Sequence, residues 1–154
     1  MSLEPRSEEC MNQLRNWAFE LGFSQIGVTD IDLSHAEEGL KAWLAAGFHG
    51  EMDYMARHGL KRARPAELVP GTVSVITARM NYLPRHTPEG WQDVEWGRIH
   101  NPTEAVVSVY ARGRDYHKVL RQRLAQLAQA IEDYLADHEG LVQTRAFTDS
   151  APVL

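Results

Sequence analysis

Apolar residues between positions 8 and 21 recur at helical spacing, with Met11, Leu14, Trp17, Ala18 and Leu21 on one face and Gly22 as a stop. The stretch SQIGVTD (24–30) is too short for a helix and reads as a strand. Ser34 and Glu37 stand three apart ahead of Leu40, Trp43 and Leu44, a capping-box pattern that predicts a second helix ending at Gly47. EMDYMARH (51–58) predicts one or two further helical turns. A turn at Pro70-Gly71 introduces Val73-Ser74-Val75-Ile76-Thr77, whose β-branched run predicts a buried strand. From Pro84 to Pro102 the chain is polar and proline-punctuated, the pattern of a long loop carrying Trp91 and Trp96. AVVSVY (105–110) predicts another strand. Asp115 opens the longest helix, whose apolar face runs Tyr116, Val119, Leu120, Leu124, Leu127, Ile131, Tyr134 and Leu135 before Gly140. The alternation in VQTRAF (142–147) predicts a last strand. Asp149-Ser150, with Pro152 close behind, then reads as the opening of a helix that the sequence does not contain.

Helices alternating with strands place the chain in the α/β (or α+β) class, built around one sheet. Its 154 residues suffice for one domain with a core, and neither an internal repeat nor a linker marks a second. No apolar run approaches a membrane span, and MSLEPRSEEC lacks the basic-then-apolar order of a signal peptide. The expectation is a cytoplasmic protein with no membrane partner.

Cys10 is the only cysteine, which excludes an intrachain disulfide and any zinc-thiolate or iron–sulfur site ligated by this chain alone. The net charge of −5 is unevenly spread. Residues 1–53 carry 3 basic and 10 acidic side chains, whereas residues 54–128 carry 12 basic and 6 acidic. RHGLKRAR (57–64) and ARGRDYHKVLRQR (111–123) hold most of the excess. Such a segment can meet a polyanion, or can simply be a solvated helix face.

Neither G-x-G-x-x-G nor a P-loop is present, and no H-E-x-x-H suggests a metal. Asp115-Tyr116-His117 comes nearest to a metal-binding spacing, but a capped helix start explains it better. Ligands of open α/β sheets sit beyond the carboxyl ends of strands. Three predicted junctions qualify: Asn81-Tyr82, Ser108 to Asp115, and Thr148-Asp149-Ser150. Asp149 can be an N-cap, a buried carboxylic acid able to donate a proton at neutral pH, or both.

HGEMDYMARHGLKRARPAELVPGTVSVI (49–76), RMNYLP (79–84), YARGRDYHKVLR (110–121) and FTDSAPVL (147–154) occur in this order and spacing. Together they resemble the N-terminal part of the epoxyqueuosine reductase family, from about Leu14 to the last residue. The resemblance implies a portion of a cobalamin-binding catalytic domain with a fold like that of reductive dehalogenases and nitroreductases. It implies an oxidoreductase that removes the epoxide oxygen of epoxyqueuosine in tRNA, using cobalamin fed by two [4Fe-4S] clusters and an external electron donor. Asp149 matches the family's proposed proton donor, beside the corrin. Arg62 matches an arginine placed against the cobalamin, and Ser108 a small residue beside the cobalt face. Arg112, Gly113, Asp115, Tyr116 and His117 match the family's most recognisable stretch, in which the resemblance assigns no individual roles: the alternatives for each are holding substrate or cobalamin and building only the turn and cap. The family's ferredoxin-like and helical-repeat domains are absent from residues 1–154, so the sequence reads as a site cut open, a monomer inactive by itself. The alternatives are a stand-alone corrin- or tRNA-binding module and, more distantly, a flavin-using relative of nitroreductases.

Overall fold

A computed structural model describes residues 5–84, 86–138, 140 and 142–148. Helix α1 (Pro5–Glu20) carries the first apolar stripe, and Leu14 and Ala18, one turn apart, are buried. Gly22 stops it with φ +83°, a left-handed turn that glycine adopts without steric cost. The Phe23 N–H then donates to the Ala18 carbonyl (2.9 Å), and the Phe23 ring folds into the core. A side chain at residue 22 would also collide with the Arg123 guanidinium.

Helix α6 (Tyr116–His138) supplies the other half of this core. Leu127 is buried with Leu14, Ala18 and Phe23, while Leu120, Leu124 and Ile131 pack around them half-buried. Trp17 of α1 meets Tyr134 of α6 edge-on, with centroids 5.6 Å apart. Each fully buried Leu or Phe contributes about 1.5–3 kcal/mol by leaving water, so this seam is the main apolar stabilisation of its part of the chain.

Strands β1 (Gln25–Thr29) and β2 (Val75–Arg79) form a two-stranded sheet. The Ser24 N–H donates to the Arg79 carbonyl (2.7 Å), and the Thr77 hydroxyl to that of Gly27 (3.4 Å). Position rises along one strand as it falls along the other, so the pair is antiparallel. The architecture is therefore mixed, mostly helical with one small sheet.

The chain forms two compact units, one running through Ile26 and resuming at Ala78, the other Gly27–Thr77. The second contains α2 (Ser34–Ala45), α3 (Tyr54–Arg57), a 3-10 turn (Gly59–Ala63) and α4 (Pro65–Leu68). Ala63 is its buried residue. The capping box expected at Ser34 does not form. The Ser34 N–H goes to Asp32 Oδ1 (3.0 Å), and Glu37 turns instead to Arg64. A bidentate guanidinium is a stronger partner for a carboxylate than a single backbone N–H.

Other expectations need correction. The strand read at 73–77 lies two residues later and is not buried, with Val73 82% and Ile76 36% exposed. Residues 105–110 form no ladder, and Val109–Ala111 is a 3-10 turn. Residues 142–147 form no ladder either; Thr144 donates its N–H (2.6 Å) and hydroxyl (2.8 Å) to Glu132 on α6. The polar segment 84–102 contains a helix, α5 (Trp91–Ile99), entered through Gly90 at φ +72°.

Candidate functional site

Of the residues singled out by sequence, Ser108, Arg112, Gly113, Asp115, Tyr116 and His117 fall on one continuous turn leading into α6. Ser108 is exposed, and its carbonyl accepts the Ala111 N–H at 2.9 Å, starting the 3-10 turn. Arg112 then closes the segment on itself, since its Nε donates to the Val107 carbonyl at 2.9 Å. Its two terminal nitrogens grip both carboxylate oxygens of Glu95 on α5, Nη1 to Oε1 at 2.8 Å and Nη2 to Oε2. Glu95 also accepts from Arg98 Nη1 at 3.1 Å. Its side chain is only 15% exposed, and the Arg112 hydrogen bond, with help from Arg98, holds its carboxyl below the usual carboxylate range. The same pairing raises Arg112 above its ordinary value.

Gly113 follows at φ +86°, a conformation that needs glycine, with open space where a Cβ would stand. Asp115 acts as the predicted cap of α6. Its Oδ1 accepts the His117 N–H at 3.0 Å and lies 2.9 Å from His117 Nδ1. These bonds from His117 lower the Asp115 pKa. The His117 ring stacks on Tyr116, with centroids 3.9 Å apart and planes 28° apart. Tyr110 meets Tyr116 edge-on at 5.8 Å.

Arg62 belongs to the 3-10 turn of the second unit. One terminal nitrogen donates to the Tyr54 carbonyl (3.0 Å), and the guanidinium lies over the Tyr54 ring, 5.5 Å from its centroid. Its Nε is buried without a hydrogen-bond partner, as is Nδ1 of His49. A buried unmet donor costs about 1–3 kcal/mol, so Arg62 is chemically ready for an acceptor. Neighbouring Arg64 is committed, pairing with Glu37 (2.7 and 3.0 Å) and with Glu67 (2.9 Å). Asp149, the expected proton donor, lies outside the described residues.

Shallow clefts among the described residues include one of about 210 Å³ beside Asp32, Glu37 and Arg64 and another of about 190 Å³ along α5 at Trp91, Glu95 and Trp96. Small-molecule pockets usually begin near ~300 Å³, so neither is sized for a macrocycle. Among the described residues no three His, Cys, Asp or Glu side chains gather as a metal site, and no helix is long and apolar enough to cross a membrane.

Sequence reading missed Glu95, because it placed 84–102 in a loop. The usable signal was the spacing of Glu95 and Arg98, three apart, as on a helix face.

Residues 62–150 match the family model described as "Epoxyqueuosine reductase QueG, DUF1730". The chain is 67% identical over 148 residues to the epoxyqueuosine reductase of Alicycliphilus denitrificans, covering 96% of this chain and 40% of that protein. It is 49% identical over 147 residues to that of Vibrio cholerae (96% and 37%) and 49% over 142 residues to that of Escherichia coli (92% and 35%). The chain thus spans roughly two fifths or less of the length of these curated relatives. No solved structure matches it.

Proposed function

The chain belongs to the epoxyqueuosine reductase family, and from that premise we propose that it forms part of the catalytic domain of an enzyme reducing epoxyqueuosine to queuosine in tRNA. The observation that carries this reading is the family match over residues 62–150, which takes in Arg62, the 108–117 turn and Asp149. Opening the epoxide to an alkene and releasing its oxygen as water consumes two electrons and two protons. Cobalamin, supplied with electrons by [4Fe-4S] clusters and an external donor, is the group suited to deliver those electrons. The cluster ligands come from outside this chain, which has one cysteine.

The chain's own residues take binding and proton-handling roles. Asp149 donates a proton as the carbon–oxygen bond breaks, which requires surroundings dry enough to keep it protonated at neutral pH. Arg62 fits a cofactor bearing amide or phosphate oxygens, because its buried Nε lacks an acceptor and its guanidinium is already oriented by Tyr54. Glu95 orients Arg112, and Asp115 orients His117, so the side chains of the turn carrying Ser108 and Gly113 are held in fixed positions.

The test joins this chain to the remaining three fifths of the Alicycliphilus relative, in cells lacking their own epoxyqueuosine reductase. Nucleosides of bulk tRNA are then measured by mass spectrometry. Queuosine should replace epoxyqueuosine, and Asp149→Asn should leave epoxyqueuosine in place while the purified protein keeps its cobalamin absorbance. Full conversion by Asp149→Asn rejects the acid assignment; no conversion by a folded, cofactor-loaded parent rejects the reading as a whole.

A further inference from the structure

We infer that Tyr110 is a stacking platform for an unpaired RNA base, held rigid by Tyr116 and His117, with the exposed cations Arg114 and Lys118 of the same stretch contacting the adjoining phosphates. The identification of the RNA as a tRNA loop rests on the proposed function above, whereas the stacking surface rests on the side chains themselves.

Tyr110 is 52% exposed although it is a large aromatic residue. Its ring is nevertheless not loose, because Tyr116 braces it edge-on, His117 stacks on Tyr116, and Asp115 anchors the imidazole of His117. A tyrosine fixed in this way loses little rotamer freedom on binding a second flat ring. Bases of single-stranded RNA are recognised largely by such stacking on aromatic faces, with basic side chains following the backbone.

Charge along the same stretch of chain fits that ligand. Arg112 is neutralised by Glu95, but Arg114 and Lys118 are exposed, and none of the described ion pairs uses either of them. Asp115, the one acid in this stretch, is occupied by His117. An apolar protein partner would find no use for two exposed cations within eight residues of the ring along the chain, and a free anion no use for the ring. A nucleotide uses both.

The test measures binding of a fluorescein-labelled ten-nucleotide oligouridylate to the full chain by anisotropy, beside the same backbone with abasic sites. Tyr110→Ala should weaken the oligouridylate about tenfold and leave the abasic strand unchanged. Tyr110→Phe, which keeps the ring and removes only the hydroxyl, should bind like the parent. Lys118→Gln should weaken both strands alike and flatten the dependence of affinity on salt. Equal loss on both strands for Tyr110→Ala, or no binding by the folded chain, overturns the inference, as does a response of Tyr110→Ala to cobalamin but not to RNA. Failure of the reductase reading shows instead as absent queuosine in the fused protein, which oligouridylate binding does not report.

Discussion

In the unit built on α1 and α6, Leu14, Ala18, Phe23 and Leu127 are each 5% exposed or less. In residues 27–77, Ala63 is the one buried residue described, and the prominent long-range interaction is the ion pair of Arg64 with Glu37, 27 positions away. The two units therefore rest on different forces. Apolar burial does not depend on charge screening or on carboxylate titration, whereas an ion pair with its arginine 41% exposed is worth little and is screened. The difference also separates the candidate residues. The 108–117 turn leads directly into the well-packed α6, while Arg62 sits in a turn with little apolar support.

The hardest way to break this contrast is through the core. Leu127→Ala should destabilise the α1–α6 unit by about 2–5 kcal/mol, through lost burial and the cavity left behind. Denaturant melts at low and high salt should show the same loss. A strong salt dependence would mean the seam is not the apolar contact described.

Gly113→Ala should cost less, about 1–2 kcal/mol, because the space is open and only the left-handed backbone is penalised. Thermal melts measure this cost. A neutral result would place Gly113 in an ordinary right-handed conformation.

The smallest effect belongs to Glu37. Pairing with Arg64 lowers its pKa below the ordinary 4.5, so its stabilisation is present above that value. It is lost as pH falls through the depressed value. Hydrogen exchange in α2 should therefore accelerate in acid for the parent, and Glu37→Gln should exchange faster at neutral pH with little further change on acidification. An α2 that loosens equally in both proteins would trace the acid response to another group.

Much of the helical structure was legible in the sequence. The stripes of α1 and α6 have enough periodic positions to outweigh any local accident, and Gly22 marks the end of α1 by its own stereochemistry. Asp115 was readable as a cap because an N-cap bond reaches only two or three residues along the chain. Strand signals served less well. The alternation in 142–147 shows that a segment suits a ladder, but here Glu132 takes the Thr144 donors instead. The helix at 91–99 was hidden because its apolar residues make only a weak stripe and Gly90 and Pro102 flank it with loop signals. The candidate site was partly legible, in that the motif 110–117 could be located but its internal pairings could not.

By itself the sequence determined what depends on near neighbours: the long helices, the glycine stops, the cap at Asp115 and the family to which the motifs belong. Tertiary structure alone decided that Glu37 would leave its capping position for Arg64 and that Glu95 would clamp Arg112. The reason is reach. A cap or stripe is settled within a few bonds, while a charge pair across 17 or 27 residues exists only once folding has met the entropy of bringing its partners together.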